Sequence, residues 1–358
     1  MINDARLLKT FLELLRISSP SGQEAAVANV ITACLRRLGI ASSTDAAGNL
    51  LATLAGQGEP LLLTAHMDTV TPCESVHPVI RDGIIYSDGT SILGADDKSG
   101  IAAILELLEV LVEHRLAHRP LELVFTVQEE VGLCGAKSLD ITRLCAKMAI
   151  GLDAGGTSGT IVCSAPSQDS LEAQMHGRAA HAGVSPEKGI NAIRVAAEAI
   201  VAMPLGRIDA ETTANIGIIQ GGAATNIVPD LVTLKGEARS RVNCKLGQQT
   251  ARMVDALKHA AEAGGATVEI NVQRTYSAYS FDEHSPIIEL VSQRMRSLGI
   301  EPLLVPTGGG SDANILNAAG IATVEISTGM SNVHTEHEQI ALVDISAAAR
   351  VLVACVTL

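Results

Sequence analysis

Tryptophan is absent, and tyrosine and phenylalanine occur three times each, so aromatic residues make up only 2% of the 358 positions. That scarcity argues against a stacking platform for single-stranded nucleic acid. It also requires a core of Ala, Val, Ile and Leu, which suits buried parallel strands covered by Ala-rich helices. Cations are few as well: 26 Lys and Arg stand against 39 Asp and Glu, for a net charge of −13. Most of such a surface repels a phosphate backbone, and no Lys/Arg-rich run offsets this locally. No apolar run approaches the length of a membrane span, about 20 residues. There is no CxxC pair. The seven cysteines, Cys34, Cys73, Cys134, Cys145, Cys163, Cys244 and Cys355, are scattered and odd in number, which predicts a reduced, cytoplasmic chain. The first residues, MINDARLLKTFLELLRISSPSG, carry charges throughout and predict an amphipathic helix rather than a signal peptide.

What is present is a large apolar fraction, 47% against 18% charged, enough for a chain of about two domains. Residues 4–16 and 23–38 predict amphipathic helices separated by the turn SSPSG. NLLATLAG, PLLLTAHMD, LELVFTVQEE and MAIGLDAGG predict strands, and Lys98 to His114 a long helix. Strands alternating with helices predict an α/β fold with a parallel-rich mixed sheet flanked by helices. Past about residue 167 the order becomes β-α-β-β-α-β, an α+β unit of ferredoxin-like type. The α/β pattern resumes at SPIIELVSQRMRSLG and IATVEIS. The second unit is therefore an insertion at 168–277, inside a discontinuous domain of 1–167 and 278–358.

Candidate ligands gather at strand ends and turns. His66 and Asp68 follow the run LLLTA. Asp96 and Asp97 precede a helix in ILGADDKSG. Glu129 and Glu130 end LELVFTVQEE, Asp153 ends MAIGLD, and His334 lies in NVHTEHE. In an open α/β sheet, ligands bind outside the carboxyl ends of the strands, so these groups can converge from distant parts of the chain. Taken singly, each has an ordinary explanation: a polar loop residue, or for Asp96 or Asp97 a helix N-cap. Taken together, two His and several carboxylates without Cys form a donor set suited to Zn²⁺, with Co²⁺ and Mn²⁺ as alternatives. One carboxylate can bridge two ions that activate a water, while a Glu that is not a ligand acts as general base. The doubled EE and DD allow neighbours to divide metal and non-metal duties.

In order, AHMDTV, GADDKSG, TVQEEVGLCGAK, LDAGG, HAGVSPEKGINAI, GGGSDANI and HTEHE resemble the motifs of the M20 metallopeptidases, and within them the peptidase T-like (tripeptidase) branch. The match spans nearly the whole chain. The resemblance implies a metal-binding domain holding two divalent ions and an inserted domain that serves for dimerisation and as a lid. It implies that His66 and Asp153 bind one ion, that Glu130 and His334 bind the other, and that Asp96 bridges them. Glu129 becomes the general base, and Asp68 orients His66 through its other ring nitrogen. A cis peptide is implied at Asp96–Asp97. His181, in RAAHAG, would reach the active site of the partner subunit as an oxyanion stabiliser; without the resemblance it is a turn histidine. Asn226 and Arg239 match lid positions that hold substrate, Arg239 on a carboxylate, although an exposed strand charge serves equally well for Arg239. The glycines around Gly309 would let backbone N–H groups approach substrate.

The expected activity is cleavage of short peptides, as an aminopeptidase or tripeptidase, by a hydroxide held between two ions, with Glu129 passing its proton to the leaving amine and lid closure bringing substrate contacts to the metals. The ligand set equally suits an M20-type carboxypeptidase or an N-acyl amino acid deacylase. A reading of another class is a non-catalytic, metal-bound, peptide-binding dimer, against which Glu129 argues, since binding alone needs no base.

Overall fold

A computed structural model describes residues Met1–Leu358. The chain divides into two compact units: Met1–Cys163 with Ser280–Pro306 and Ser311–Leu358, and Ser164–Tyr279 with Thr307–Gly310. The second unit thus begins four residues before the position predicted for the insertion and takes in a short Gly-rich return of the chain.

The main sheet of the first unit runs Ser42–Thr44, Leu50–Leu54, Leu121–Thr126, Leu61–His66, Met148–Gly155, Ala322–Met330, Thr160–Ala165. Its central four strands are parallel, and the strands beside them are antiparallel. Every residue of Leu61–His66 and of Leu121–Thr126 is buried, as expected of strands covered on both faces. Register then fixes the site: His66 lies opposite Thr126, and Thr64 opposite Gly151. The carboxyl ends of these strands therefore lie side by side.

Helices cover the sheet. Asp4–Leu15 starts on Asn3, whose side chain accepts the Arg6 N–H, and buries Leu7, Phe11, Leu14 and Leu15. Ala95–His114 and Leu342–Val356 are apolar nearly all round and bury most of their residues, so they lie in the core rather than on its surface. Asp96 (φ −80, ψ 106) and Asp97 (φ −114, ψ 34) are not helical, and the peptide between them is cis. The regular helix thus starts at Lys98, as the sequence predicts. The strand predicted over LELVFTVQEE stops at Thr126. Beyond it the Val127 N–H donates to the Asn49 side chain instead of a strand partner, and Gln128 turns to φ 52.

In the second unit an antiparallel sheet runs Gly206–Arg207, Thr212–Gly221, Leu231–Ser240, Ser167–His176, Thr267–Tyr276. By chain order the four long strands lie second, third, first, fourth. Helices Ala192–Ala202 and Asn243–Gly264 pack with the sheet's buried Leu171, Ala173, Met175, Val232 and Leu234. The predicted β-α-β-β-α-β order is present, with the two-residue strand Gly206–Arg207 added.

Candidate functional site

His66 is the last residue of its strand and is buried. Its Nδ1 lies 2.9 Å from the main-chain oxygen of Asp68, and its Nε2 lies 2.9 Å from Oδ1 of Asp96. A carbonyl oxygen only accepts, so Nδ1 carries the proton and a neutral ring turns its Nε2 lone pair toward Asp96. Burial alone would pull the His66 pKa down, but hydrogen bonding to Asp68 and Asp96 carries it well above the ordinary value. A proton or a cation is thus called for between that nitrogen and that carboxylate.

Asp96 stands between two histidines: its other oxygen, Oδ2, is 3.2 Å from His334 Nε2. His334 Nε2 is also 3.0 Å from Glu130 Oε1. Burial opposes ionisation of Asp96, yet hydrogen bonds from His334 and His66 hold its carboxyl well below the usual range. Its partners Asp96 and Glu130 push His334 up to about 10. Two further carboxylates close the site, and burial raises both well above the usual range. For Asp153 the charges of Asp96 and Glu129 add to it; for Glu129, Asp312 and Glu130 add to it and His66 opposes it. Ligand atoms within 4.8 Å of one another form three overlapping groups: His66, Asp96 and Asp153; Asp96, Glu130 and His334; and His66, Glu129 and Glu130. The donors are imidazole nitrogens and carboxylate oxygens, and buried acids crowd together without matching cations. Such a set fits borderline divalent ions.

The doubled acids divide their duties. Asp96 faces the histidines, whereas Asp97 Oδ1 accepts the Gly100 N–H at 3.1 Å and so begins the helix. Glu130 pairs with His334, leaving Glu129 buried beside it.

Asp68 is placed differently from its expected role. Its main-chain carbonyl, not its carboxylate, takes His66 Nδ1; the nearer carboxylate oxygen is 3.5 Å from that nitrogen. The carboxylate instead accepts the Ser21 hydroxyl at 2.6 Å, the Glu129 N–H at 2.9 Å and the Glu130 N–H at 3.2 Å. Burial would raise the Asp68 pKa, but His66, the Ser21 hydroxyl and the Glu129 N–H lower it.

Sequence reasoning assigned no role to several buried groups behind these. Glu338 accepts the Gly94 and Asp96 N–H groups at 2.7 and 3.1 Å, tying the His334 loop to the Asp96 turn. Glu325 accepts the Asp153 N–H at 3.1 Å and the Ser311 hydroxyl at 3.0 Å, and burial raises it to about 7. Gly151 leaves Glu325 its space, since a Cβ there would overlap the carboxylate. Asp312 accepts the Thr126 hydroxyl at 2.5 Å and is raised by burial to about 6. An acid inside the otherwise apolar strand IATVEIS was the available signal for Glu325.

The other four predicted residues belong to the second unit. His181 is exposed and accepts the Gly183 N–H on Nδ1 at 3.2 Å. Asn226 is exposed, and its carbonyl accepts the Ala182 N–H at 2.9 Å. Arg239 is held in a two-point ion pair by Glu237, Nε to Oε1 at 2.8 Å and Nη2 to Oε2 at 2.9 Å. The Gly309 N–H already donates to Thr307 Oγ1 at 3.1 Å.

The chain is 41% identical to an aminopeptidase PepT from Bacillus cereus of known structure, covering 99% of this chain and 98% of that one, with a TM-score of 0.89. It is 39% identical to a tripeptidase from Staphylococcus aureus, with the same coverage and a TM-score of 0.94. A peptidase T from Vibrio cholerae is 29% identical over 83% of this chain and 73% of its own. Residues 62–358 match the model of peptidase family M20/M25/M40. Sequence and fold therefore agree, and the chain belongs to peptidase family M20/M25/M40.

Proposed function

We propose that this protein is a metal-dependent aminopeptidase of short peptides, tripeptides among them. The observation that carries the reading is the sharing of Asp96 by two ligand groups, with Glu129 buried beside both. The kinship with an aminopeptidase and a tripeptidase supplies the substrate class. One divalent ion would be held by His66, Asp96 and Asp153, the other by Asp96, Glu130 and His334; zinc suits these donors, and cobalt or manganese would also fit. When bound, the ions supply Lewis acidity and make a water acidic enough to ionise near neutral pH.

The chain's own groups do the rest. Glu129 accepts the proton of the attacking water and returns it to the leaving amine. Asp68 fixes the main chain of both Glu129 and Glu130. Because His181 Nδ1 accepts from Gly183, its neutral ring carries the proton on Nε2, where it can donate to a substrate carbonyl oxygen of the partner subunit. Asn226 and Arg239 are assigned to substrate, Arg239 after exchanging Glu237 for a carboxylate. Gly309 is assigned to substrate as well, through its backbone.

Dimerisation through the inserted unit is supported by its edge. Gly206–Arg207 covers Thr212–Gly221 only at Thr213 and Ala214, and Ile218 and Ile219 beyond are 45% and 49% exposed. An uncovered apolar edge invites another strand. The seven free thiols, with Cys145 and Cys244 exposed, support a cytoplasmic location, and no helix is long and apolar enough to cross a membrane.

The test is hydrolysis by protein loaded in turn with each ion, with metal content measured on the same sample. Free tripeptides should be cut from the amino end, and N-blocked peptides and N-acyl amino acids should not. Preference for an N-acyl amino acid moves the reading to a deacylase, release from the carboxyl end to a carboxypeptidase, and no cleavage at all to a binding protein.

A further inference from the structure

Glu24 precedes the helix Ala25–Arg37 and occupies its N-cap position, yet its side chain caps nothing there. Glu is an unusual residue for that position, where Ser, Thr, Asp and Asn lead. The carboxylate turns away from the helix and is buried, with 5% exposure. Its Oε1 accepts two main-chain N–H groups, Gly22 at 2.7 Å and Gln128 at 3.1 Å.

Gln128 precedes Glu129. It holds φ 52, a left-handed conformation that a non-glycine residue keeps only when its surroundings enforce it. Its N–H is the first of three in succession that donate to buried carboxylates: Gln128 to Glu24, Glu129 and Glu130 to Asp68. The segment that carries Glu24 is itself fixed to the neighbouring strand end and helix start. Ser19 O accepts the Thr69 N–H, Ser21 donates to Asp68, and Ile17 O accepts the buried Lys98 ammonium at 2.7 Å. Asp68, through the Glu129 N–H, and the Cys134 N–H, which the Gln128 carbonyl accepts at 3.0 Å, hold the peptide after the Gln128 α-carbon. In the peptide before it the Val127 carbonyl accepts the Gly135 N–H at 2.9 Å, and Glu24 takes the N–H of that same peptide, the second of its two bonds.

We infer that Glu24 is a positioning residue for the reaction: by holding the Gln128 N–H it fixes the left-handed turn that aims the Glu129 carboxylate. The inference rests on the reading of Glu129 as the general base. It also accounts for a feature of the SSPSGQE segment that the metal ligands leave unexplained: a buried acid with no ligand and no cap to serve.

The experiment compares Glu24→Ala, Glu24→Asp and Glu24→Gln in metal-loaded protein, reading kcat, KM, metal content, and hydrogen exchange at the Gln128 amide. Glu24→Asp keeps the charge but withdraws it by one methylene, whereas Glu24→Gln keeps an acceptor oxygen in place. Glu24→Ala and Glu24→Asp should lower kcat by about 10–100-fold, as losses behind a catalytic group do, with KM changed less than about twofold if the loss falls on the transition state alone. Both should keep two ions per chain and expose the Gln128 amide to exchange faster by about tenfold or more. Glu24→Gln should recover most of kcat and of the protection. A kcat within about twofold of wild type in Glu24→Ala or Glu24→Asp, or a loss that follows metal content, or unchanged Gln128 exchange, overturns the inference. Should Glu24→Ala fail to fold, the Asp and Gln variants decide it between them. The exchange readout does not depend on what Glu129 does, so a failure of the general-base reading, seen as full turnover in Glu129→Gln, remains distinguishable from a failure of the Glu24 contact.

Discussion

Replacing Asp68 by Ala removes one side chain and strands three donors. The Ser21 hydroxyl and the Glu129 and Glu130 N–H groups all end on its carboxylate, at a residue with 0% exposure. A buried donor left without a partner costs about 1–3 kcal/mol, so the three together give about 3–9 kcal/mol before relaxation. Water entering the vacated space can satisfy one or two of them, which leaves one or two donors unpaired and an expected loss of about 1–6 kcal/mol, a large share of a typical stability of about 5–15 kcal/mol. Catalysis should fall about 10–100-fold in addition, because the amides released are those of Glu129 and Glu130. Ser21→Ala is the internal control. It removes one donor and leaves the carboxylate its two amide partners, so it should cost only about 1 kcal/mol and little turnover. Urea unfolding of metal-free and metal-loaded protein measures the first quantity, and kcat at fixed metal content the second. If Asp68→Ala costs no more than Ser21→Ala and turns over within about threefold of wild type, the carboxylate does not hold this turn, and the reasoning fails.

Three further outcomes follow from the same geometry. Glu129→Gln should retain two ions per chain by elemental analysis and lose about 10²–10⁴-fold in kcat, the range for a general base; retained turnover would remove Glu129 from that role. In metal-free protein the folded-state pKa of His334 is raised to about 10 by Asp96 and Glu130, above an unfolded value near 6.5. Its ion pairs therefore stabilise fully below about pH 6.5 and less and less as pH rises toward 10. Melting temperature of the metal-free protein across that window should decline by a component that His334→Asn abolishes, and that bound metal also removes by holding the ring neutral. Gly151→Ala should force the Glu325 carboxylate from its place and destabilise by about 1–3 kcal/mol, as overpacking does; denaturant midpoints equal to wild type would show that Glu325 can yield freely.

The gathering of the metal-ligand candidates was legible for a reason that lies in the fold. His66 ends its strand, Asp153 lies two residues before the end of its own and Glu130 four residues past Thr126, and a parallel sheet brings such ends together whatever their separation in sequence. The apolar runs before them mark the strands, so the pattern of residues carries the geometry. The duties of Asp68 were not legible, because they depend on a turn. The same carboxylate can reach His66 or the amides of Glu129 and Glu130, and a left-handed Gln128, a conformation no residue type at that position announces, decides for the amides. Arg239 lies between these cases. It stands two residues from Glu237 on one strand, and side chains two apart share a face, so the spacing in GEARSR is enough to announce their ion pair. A substrate carboxylate that binds Arg239 must therefore displace Glu237. If Arg239 does hold substrate, Glu237→Gln should lower KM for peptides with a free carboxyl end and leave their amides unchanged, and equal effects on both would assign Arg239 to the strand rather than to the substrate.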